Sequence, residues 1–187
     1  MNLPVLPCES FTLRLLQPQE AATAVKYYRS NQLHLNKWEP KRPSGFYQLS
    51  YWQQLLQQRL RQFQRGESVH LCAIDNRSKM MIGSCNFTQI DRQLNRNCFM
   101  GYSLDQYQQG QGRMTQIVAT SIEYLFAQRQ LAQISAGYMP SNQRSGNVLQ
   151  RLGFETIGLE RDYLQINGKL EDHIVTTKRN PYQFQFS

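Results

Sequence analysis

Histidine, cysteine and acidic residues are scarce in this chain, and each scarcity excludes a class of function. There are three histidines (His34, His70, His173) and four cysteines (Cys8, Cys72, Cys85, Cys98) in 187 residues. The histidines are scattered and no two cysteines stand in a Cys-x-x-Cys pair, so no metal site is expected. Cys72, Cys85 and Cys98 each fall in a segment that reads as a strand, where a reduced thiol acts as a small hydrophobe in a reducing compartment. Long apolar runs are also missing: nothing approaches the roughly 18 consecutive apolar residues of a membrane span. The first ten residues have neither the basic start nor the apolar centre of a secretory signal. A cytoplasmic chain with no membrane association is therefore expected. At 40% hydrophobic and 18% charged, with no repeat and no linker, it reads as one globular domain over 1–187, its core at about 11–177.

Acidic residues number 13 against 21 lysines and arginines, for a formal net charge of +8. The imbalance is concentrated. From Lys26 to Arg65 there are eight basic residues (Lys26, Arg29, Lys37, Lys41, Arg42, Arg59, Arg61, Arg65) and one acid, Glu39. A basic region of this kind suits ribosomal RNA or a ribonucleoprotein surface, and it equally suits solvated helix faces.

Hydrophobic periodicity lays out the elements. Phe11–Leu16 alternates as a first strand, and Pro18 opens a helix to about Asn31. Trp52, Leu55, Leu56, Leu60 and Phe63 form one stripe of a helix from about Leu49 to Arg65, stopped by Gly66. Val69–Ile74 and Met80–Ile90 read as a hairpin, and Asn97–Leu104 as a third strand. The next helix, Met114 to about Gln128, buries Ile117, Val118, Ser121, Ile122 and Leu125 by period. Gln133–Tyr138 is a strand, and a helix capped by Asn142 ends at Gly153. Phe154–Thr177 is a ribbon turning at Asn167-Gly168. The order predicts an α/β fold with helices on both faces of a mixed sheet.

The most informative stretch is Asn97-Cys-Phe-Met-Gly-Tyr-Ser-Leu-Asp-Gln-Tyr-Gln-Gln-Gly-Gln-Gly-Arg-Met114. A strand runs into a glycine-punctuated loop and then a helix, so backbone N–H groups and a helix N-terminus converge, as an anion requires. No Gly-Lys-Ser/Thr follows, and Gly110 and Gly112 have no third glycine three residues on, which excludes the Walker and dinucleotide loops. Paired glycines here are compatible with turn chemistry alone and with an anion cradle. The second stretch is Asn142-Gln-Arg-Ser-Gly-Asn-Val-Leu-Gln-Arg-Leu-Gly-Phe154, in which Ser145 sits one turn into a helix. Its hydroxyl faces the glycine loop if the two strands that precede these helices are parallel neighbours.

The glycine loop resembles the Gln/Arg-x-x-Gly-x-Gly/Ala acyl-CoA loop of the Gcn5-related N-acetyltransferase (GNAT) superfamily, with Tyr107 where Gln or Arg is usual. The Asn142-x-x-Ser145…Leu-Gly-Phe154 stretch is similar to that of the Rim-type N-acetyltransferases. Trp38-Glu39-Pro40 and Asp162-Tyr-Leu…Gly168…Asp172-His173 resemble the branch that acetylates the N-terminal alanine of a small-subunit ribosomal protein, with Leu170 where tryptophan is usual. The resemblance implies a mostly antiparallel sheet with a V-shaped splay between its two central strands. It implies acetyl-CoA as co-substrate, held by Tyr102, Ser103, Leu104, Gln109, Gly110, Gln111, Gly112, Arg113, Met114 and Asn142. Ser145 would protonate the departing thiolate, and Asp162 or Glu39 would take the amine's proton, with Glu160 and Asp172 as further acids near the ribbon. His173 reads as a packed ribbon residue. The acceptor implied is a ribosomal protein N-terminus. A small-molecule amine such as a polyamine, amino sugar or amino acid is the alternative, as is a binding role in ribosome assembly.

Overall fold

The computed structural model describes residues 3–182. Two short strands, β1 (Val5–Pro7) and β2 (Phe11–Arg14), lead through a 3-10 turn at Pro18–Glu20 into helices α1 (Ala21–Ser30) and α2 (Gln32–Leu35). Helix α3 (Leu49–Arg65) is followed by β3 (Val69–Asp75), β4 (Met81–Thr88) and β5 (Asn97–Leu104). Helix α4 (Arg113–Arg129), β6 (Gln133–Tyr138), α5 (Gln143–Arg151), β7 (Glu155–Ile166) and β8 (Lys169–Arg179) complete the chain. Among the described residues, no helix is long and apolar enough to cross a membrane.

All eight strands form one sheet, in the order β1-β2-β3-β4-β5-β6-β8-β7. Every pairing is antiparallel except β5 with β6. That one parallel pair follows from α4, whose length carries the chain back to the starting end of the sheet. Helices cover both faces. The stripe Ile117, Val118, Ser121, Ile122 and Leu125 of α4 is fully buried and packs with Leu149 of α5 into the larger core. On the other face, α1 and α3 enclose Tyr27, Tyr28, Leu56 and Trp52, which stacks on Tyr28 at 4.9 Å between ring centroids.

Several local devices fix the ends of these elements. The helix expected from Pro18 to Asn31 is divided: a 3-10 turn precedes α1, and Asn31 ends it. Asn31 is buried because its side chain donates to the Tyr27 carbonyl (3.0 Å) and to Asp105 (2.9 Å), and accepts from the Gln106 N–H (3.0 Å). Helix α5 closes in a Schellman motif, with the Phe154 N–H on the Leu149 carbonyl and the Gly153 N–H on that of Gln150, both at 3.0 Å. The ribbon turns at Asn167 and Gly168, with φ of 50° and 89°, the pair of positive values that a two-residue hairpin needs. β1 was not expected from the sequence; it is a three-residue edge strand containing Pro7, too short to show alternation.

Candidate active site

The site begins where a pairing stops. β5 and β6 are in register from Asn97↔Gln133 to Met100↔Ala136 and no further, although β5 continues to Leu104 and β6 to Tyr138. Each stays bonded to its outer neighbour, β5 to β4 and β6 to β8, so the two strands splay apart. The Asp105 N–H donates to the Ile82 carbonyl at 2.8 Å. By alternation along an antiparallel strand, the N–H groups of Ser103 and Gly101 also turn toward β4. Those of Tyr102 and Leu104 turn the other way, into the splay, where β6 no longer meets them. Ser103 contributes its side chain instead: its hydroxyl is buried between those of Tyr27 (2.9 Å) and Ser84 (3.0 Å), which ties β5 to α1.

The chain leaves β5 through a loop set by polar contacts. Asp105 accepts the Tyr107 N–H (2.8 Å) and is itself held by Asn31. Tyr107, where Gln or Arg is usual, projects into solvent and is 80% exposed. Gly110 and Gly112 have φ of +76° and +71°, and a Cβ on either would meet nothing within 4 Å. Glycine is therefore required by backbone conformation, and the space above both residues, beside Gln111, is open. Gly112 is the N-cap of α4 and supplies no side-chain cap, so the N–H groups of Arg113 and Met114 face that space unpartnered by a capping side chain. The Arg113 side chain goes elsewhere, with Nη1 3.6 Å from Asp75. Positive charge at the loop comes instead from Arg144, whose Nη1 donates to Gln109 Oε1 at 2.5 Å. Gln109 Nε2 in turn donates to His34 Nε2 at 2.9 Å. Burial, then Arg144 and Lys37, hold the His34 pKa below its ordinary value, so this imidazole is neutral at neutral pH.

Helix α5 starts at the same end of the sheet. Asn142 caps it by accepting the Ser145 N–H at 3.2 Å, which fixes Ser145 one turn into the helix. Ser145 Oγ lies 2.8 Å from the Tyr102 hydroxyl, which is also 3.1 Å from the Ser145 carbonyl. Burial raises the Tyr102 pKa, so this phenol keeps its proton and acts as a donor. Gly146 makes room for the neighbouring wall, since a Cβ there would stand 2.7 Å from the Tyr138 ring. One strand residue on each side of the splay, Tyr102 and Tyr138, is thus fitted against α5.

The carboxylates are arranged differently. Asp162 is exposed in a bulge of β7, at φ 50°, with its N–H on Asp172 Oδ1 (3.0 Å). The bulge adjoins the splay, because Tyr163 comes within 3.8 Å of where a Gly137 Cβ would sit. Glu160, also exposed, stands opposite His173 in the ribbon. Glu39 forms an ion pair with Arg42, whose guanidinium lies 4.8 Å over Tyr28 and 4.4 Å over Phe46. His173 is 5% exposed and packs on Tyr163 at 5.3 Å between centroids. Leu170 sits near the ribbon tip, exposed. The buried thiols stay protonated: burial pushes Cys72 to about 11 and Cys85 and Cys98 to about 12. Among the described residues, no group of three or more His, Cys, Asp and Glu side chains could hold a metal ion.

The splay therefore gathers two backbone N–H groups, an uncapped helix N-terminus and a hydroxyl with a proton donor behind it. It suits a long anionic thioester. Sequence reasoning did not assign roles to Arg144 and His34 or pair Tyr102 with Ser145. One signal was available: neither α4 nor α5 has an acid in its first turn, and α5 carries Arg144 there, the wrong charge for its own dipole.

Comparison with known proteins agrees with this geometry. The Acetyltransferase (GNAT) domain family matches residues 10–155. The [ribosomal protein uS5]-alanine N-acetyltransferase of Escherichia coli (strain K12) is 34% identical over 176 residues, covering 94% of this chain and 91% of the relative. The crystal structure of ribosomal-protein-S5-alanine acetyltransferase from Vibrio fischeri superposes with a TM-score of 0.92 at 34% identity, over 95% of this chain and 97% of that one. Mycobacterium smegmatis RimJ, in complex with CoA-disulfide, shares the fold with a TM-score of 0.86 at 23% identity, over 98% and 88% of the two chains.

Proposed function

The chain belongs to the GNAT acetyltransferase family, and on that premise we propose that it transfers the acetyl group of acetyl-CoA to the N-terminal alanine of a small-subunit ribosomal protein. The observation that carries this reading is the opening of β5 from β6 beside an uncapped α4 N-terminus, with Ser145 held by Tyr102 at its rim. The likeness to the uS5-alanine enzymes over nearly the whole chain supports the acceptor.

Each residue has a defined task in this reading. Backbone N–H groups from Gln109 to Met114 take the pyrophosphate, with Arg144 adding charge. The N–H groups of Tyr102 and Leu104 bind along the splay and stabilise negative charge developing on the thioester oxygen. An α-amino group has a pKa of about 7.7–8.0, so a fraction is already neutral at pH 7 and a weak base suffices. Asp162, acting through water from the ribbon bulge, takes the proton released as the C–N bond forms. Ser145 gives its proton to the thiolate as the C–S bond breaks and regains one from Tyr102 or solvent. The ion pair of Glu39 with Arg42 favours Asp162 over Glu39 as base.

The reading also places the protein in the cytoplasm, where ribosomal proteins are made. RNA contact through 26–65 is the weaker part of it, because three of the eight cations are already engaged: Arg42 by Glu39, Arg65 by Glu67 and Arg29 by the Tyr47 carbonyl.

The test is the intact mass of a short peptide with the N-terminal alanine of the cognate small-subunit protein, incubated with the protein and acetyl-CoA. A matched peptide blocked at its amine is the control. One acetyl group should be gained on the free peptide alone. No gain from a protein that binds CoA would overturn the peptide acceptor and leave a small-molecule amine in its place.

A further inference from the structure

The opposite end of the sheet holds a second concentration of unsatisfied charge. There α3 ends at Arg65, with Gly66 as its left-handed cap, and α4 ends at Arg129, while the loop between β4 and β5 crosses beside them. They flank an open hollow of about 510 Å³, roomy enough for a small anion. Arg65, Arg92, Arg96 and Arg129 line it with two acids, Glu67 and Asp91. Both acids are engaged. Glu67 lies 3.8 Å from Arg65, and the Asp91 carboxylate accepts the N–H groups of Gln93, Leu94 and Asn95 at 2.9, 3.1 and 2.9 Å. Among the described residues, no carboxylate comes within 4.0 Å of Arg92, Arg96 or Arg129.

Arg129 is the most telling of the four. It is 6% exposed, its guanidinium lies 5.1 Å over the Phe63 ring, and its Nη2 reaches the Phe63 carbonyl at 3.5 Å. Its Nε has no partner among the described residues. A buried donor left unpaired is costly, and a buried charge more so. Arg92 reaches the same place from the solvent side. Its Cζ and Nη2 lie 3.2 Å, and Arg129 Nη1 3.5 Å, from the point where a Cβ on Gly66 would stand. Two guanidiniums thus converge over one glycine. Helix C-termini attract cations. They account for Arg96, which donates to the Gln130 carbonyl at 3.0 and 2.7 Å, and for the single long bond of Arg129. They account neither for the convergence of Arg92 on Arg129 nor for the orphaned Nε.

We propose that this cavity binds a phosphate group, with Arg92 and Arg129 as its principal donors and Arg96 and Arg65 at its rim. The guanidinium fork matches phosphate oxygens in pairs, and an anion here would engage Arg92 and the Nη1 of Arg129, which converge over Gly66 without a carboxylate partner among the described residues. The site is remote from the glycine loop and does not rest on the acetyl-transfer reading. A free phosphate or phosphomonoester and the phosphodiester backbone of RNA share this chemistry, and the test separates them.

The full chain, saturated with CoA so that the glycine loop is occupied, is titrated calorimetrically with inorganic phosphate. A second titration uses a short single-stranded RNA lacking terminal phosphates. Arg92→Gln and Arg96→Gln, both at exposed loop positions, are measured beside it, each with its melting temperature, because Arg96→Gln gives up two bonds to the Gln130 carbonyl. The expected result is saturable binding that Arg92→Gln weakens at least about tenfold, the loss a charge-assisted bond implies, with CoA affinity unchanged. Binding of phosphate but not RNA assigns the site to a free phosphate or phosphomonoester, and tighter binding of RNA assigns it to a polynucleotide. If neither ligand saturates at millimolar concentration, or if binding ignores both substitutions, the proposal is overturned.

Discussion

Tyr102→Phe tests the catalytic arrangement more sharply than removal of Ser145 itself. The phenol donates to Ser145 from 2.8 Å, or to the Ser145 carbonyl from 3.1 Å, and burial keeps it protonated. Phenylalanine preserves the ring against α5 and removes only the hydroxyl. A neutral hydrogen bond contributes about 0.5–1.5 kcal/mol, so kcat should fall about 2- to 12-fold. Ser145→Ala, which removes the proton donor proposed for the thiolate, should cost about 100-fold, the low end for a positioned general acid. The decisive measurement is the double substitution, followed as thiol release with a saturating N-terminal alanine peptide. If Tyr102 works through Ser145, then in the Ser145→Ala background the phenylalanine changes kcat by less than about 2-fold, the limit of additivity error. KM for acetyl-CoA should stay level, and melting temperature should fall more in the parent than in the Ser145→Ala background, where only the contact with the carbonyl is left to lose. An equal fall of kcat in both backgrounds would refute the coupling and reduce Tyr102 to a packing residue.

Other expectations follow from single contacts. Gly112→Leu should fold, with a backbone penalty of about 1–2 kcal/mol for a side chain at φ +71°, and should lose CoA binding in a calorimetric titration because the leucine fills the open space above the loop. Asp162→Asn should lower kcat at least about 100-fold with the melting temperature kept, whereas Glu39→Gln should keep kcat and lower the melting temperature by releasing Arg42; the opposite pattern would exchange their roles. Glu20 accepts from Arg14 at 2.5 and 2.8 Å, which holds its pKa below 4.5. A carboxylate depressed in the folded state adds stability above its unfolded pKa, and this is lost as pH falls through the folded value. Glu20→Gln should therefore melt lower at pH 7 and converge with the parent as pH falls through the lowered folded value.

What the sequence disclosed was local. The α3 and α4 stripes, the turn at Asn167-Gly168 and the end of α5 at Gly153 all depend on residues a few positions apart, and all appear where pattern places them. The conformation of the glycine loop and the place of Ser145 one turn into α5 were legible for the same reason. What stayed hidden lies far apart in the chain. Tyr102 and Ser145 are separated by 43 residues, and Gln109 and His34 by 75. No periodicity reports such pairs. The helix end near Asn31 was placed by pattern, but the contacts that bury this side chain were not, because they depend on Asp105 and Gln106 meeting it across the fold. Arg113 shows the limit of proximity: it adjoins the loop glycine, yet its guanidinium turns to Asp75.

The single parallel pairing organises both ends of the molecule. Because β5 and β6 run the same way, the helices that follow them start at one end of the sheet, and their free N–H groups meet there. Helix α4 must then terminate at the far end, where α3 also stops, and that end collects carbonyls. An anion at the glycine loop is therefore held chiefly by fixed dipoles in the backbone. An anion in the arginine cavity has the dipoles against it and is held by side-chain charge alone. Salt screens the exposed charges of Arg65, Arg92 and Arg96 more strongly than backbone donors fixed at close range, so the two sites should respond differently to ionic strength. Raising salt should weaken phosphate binding in the arginine cavity markedly while CoA affinity changes little. Equal salt sensitivity at the two ends would mean that side-chain charge, and not the helix geometry set by the parallel pair, dominates both.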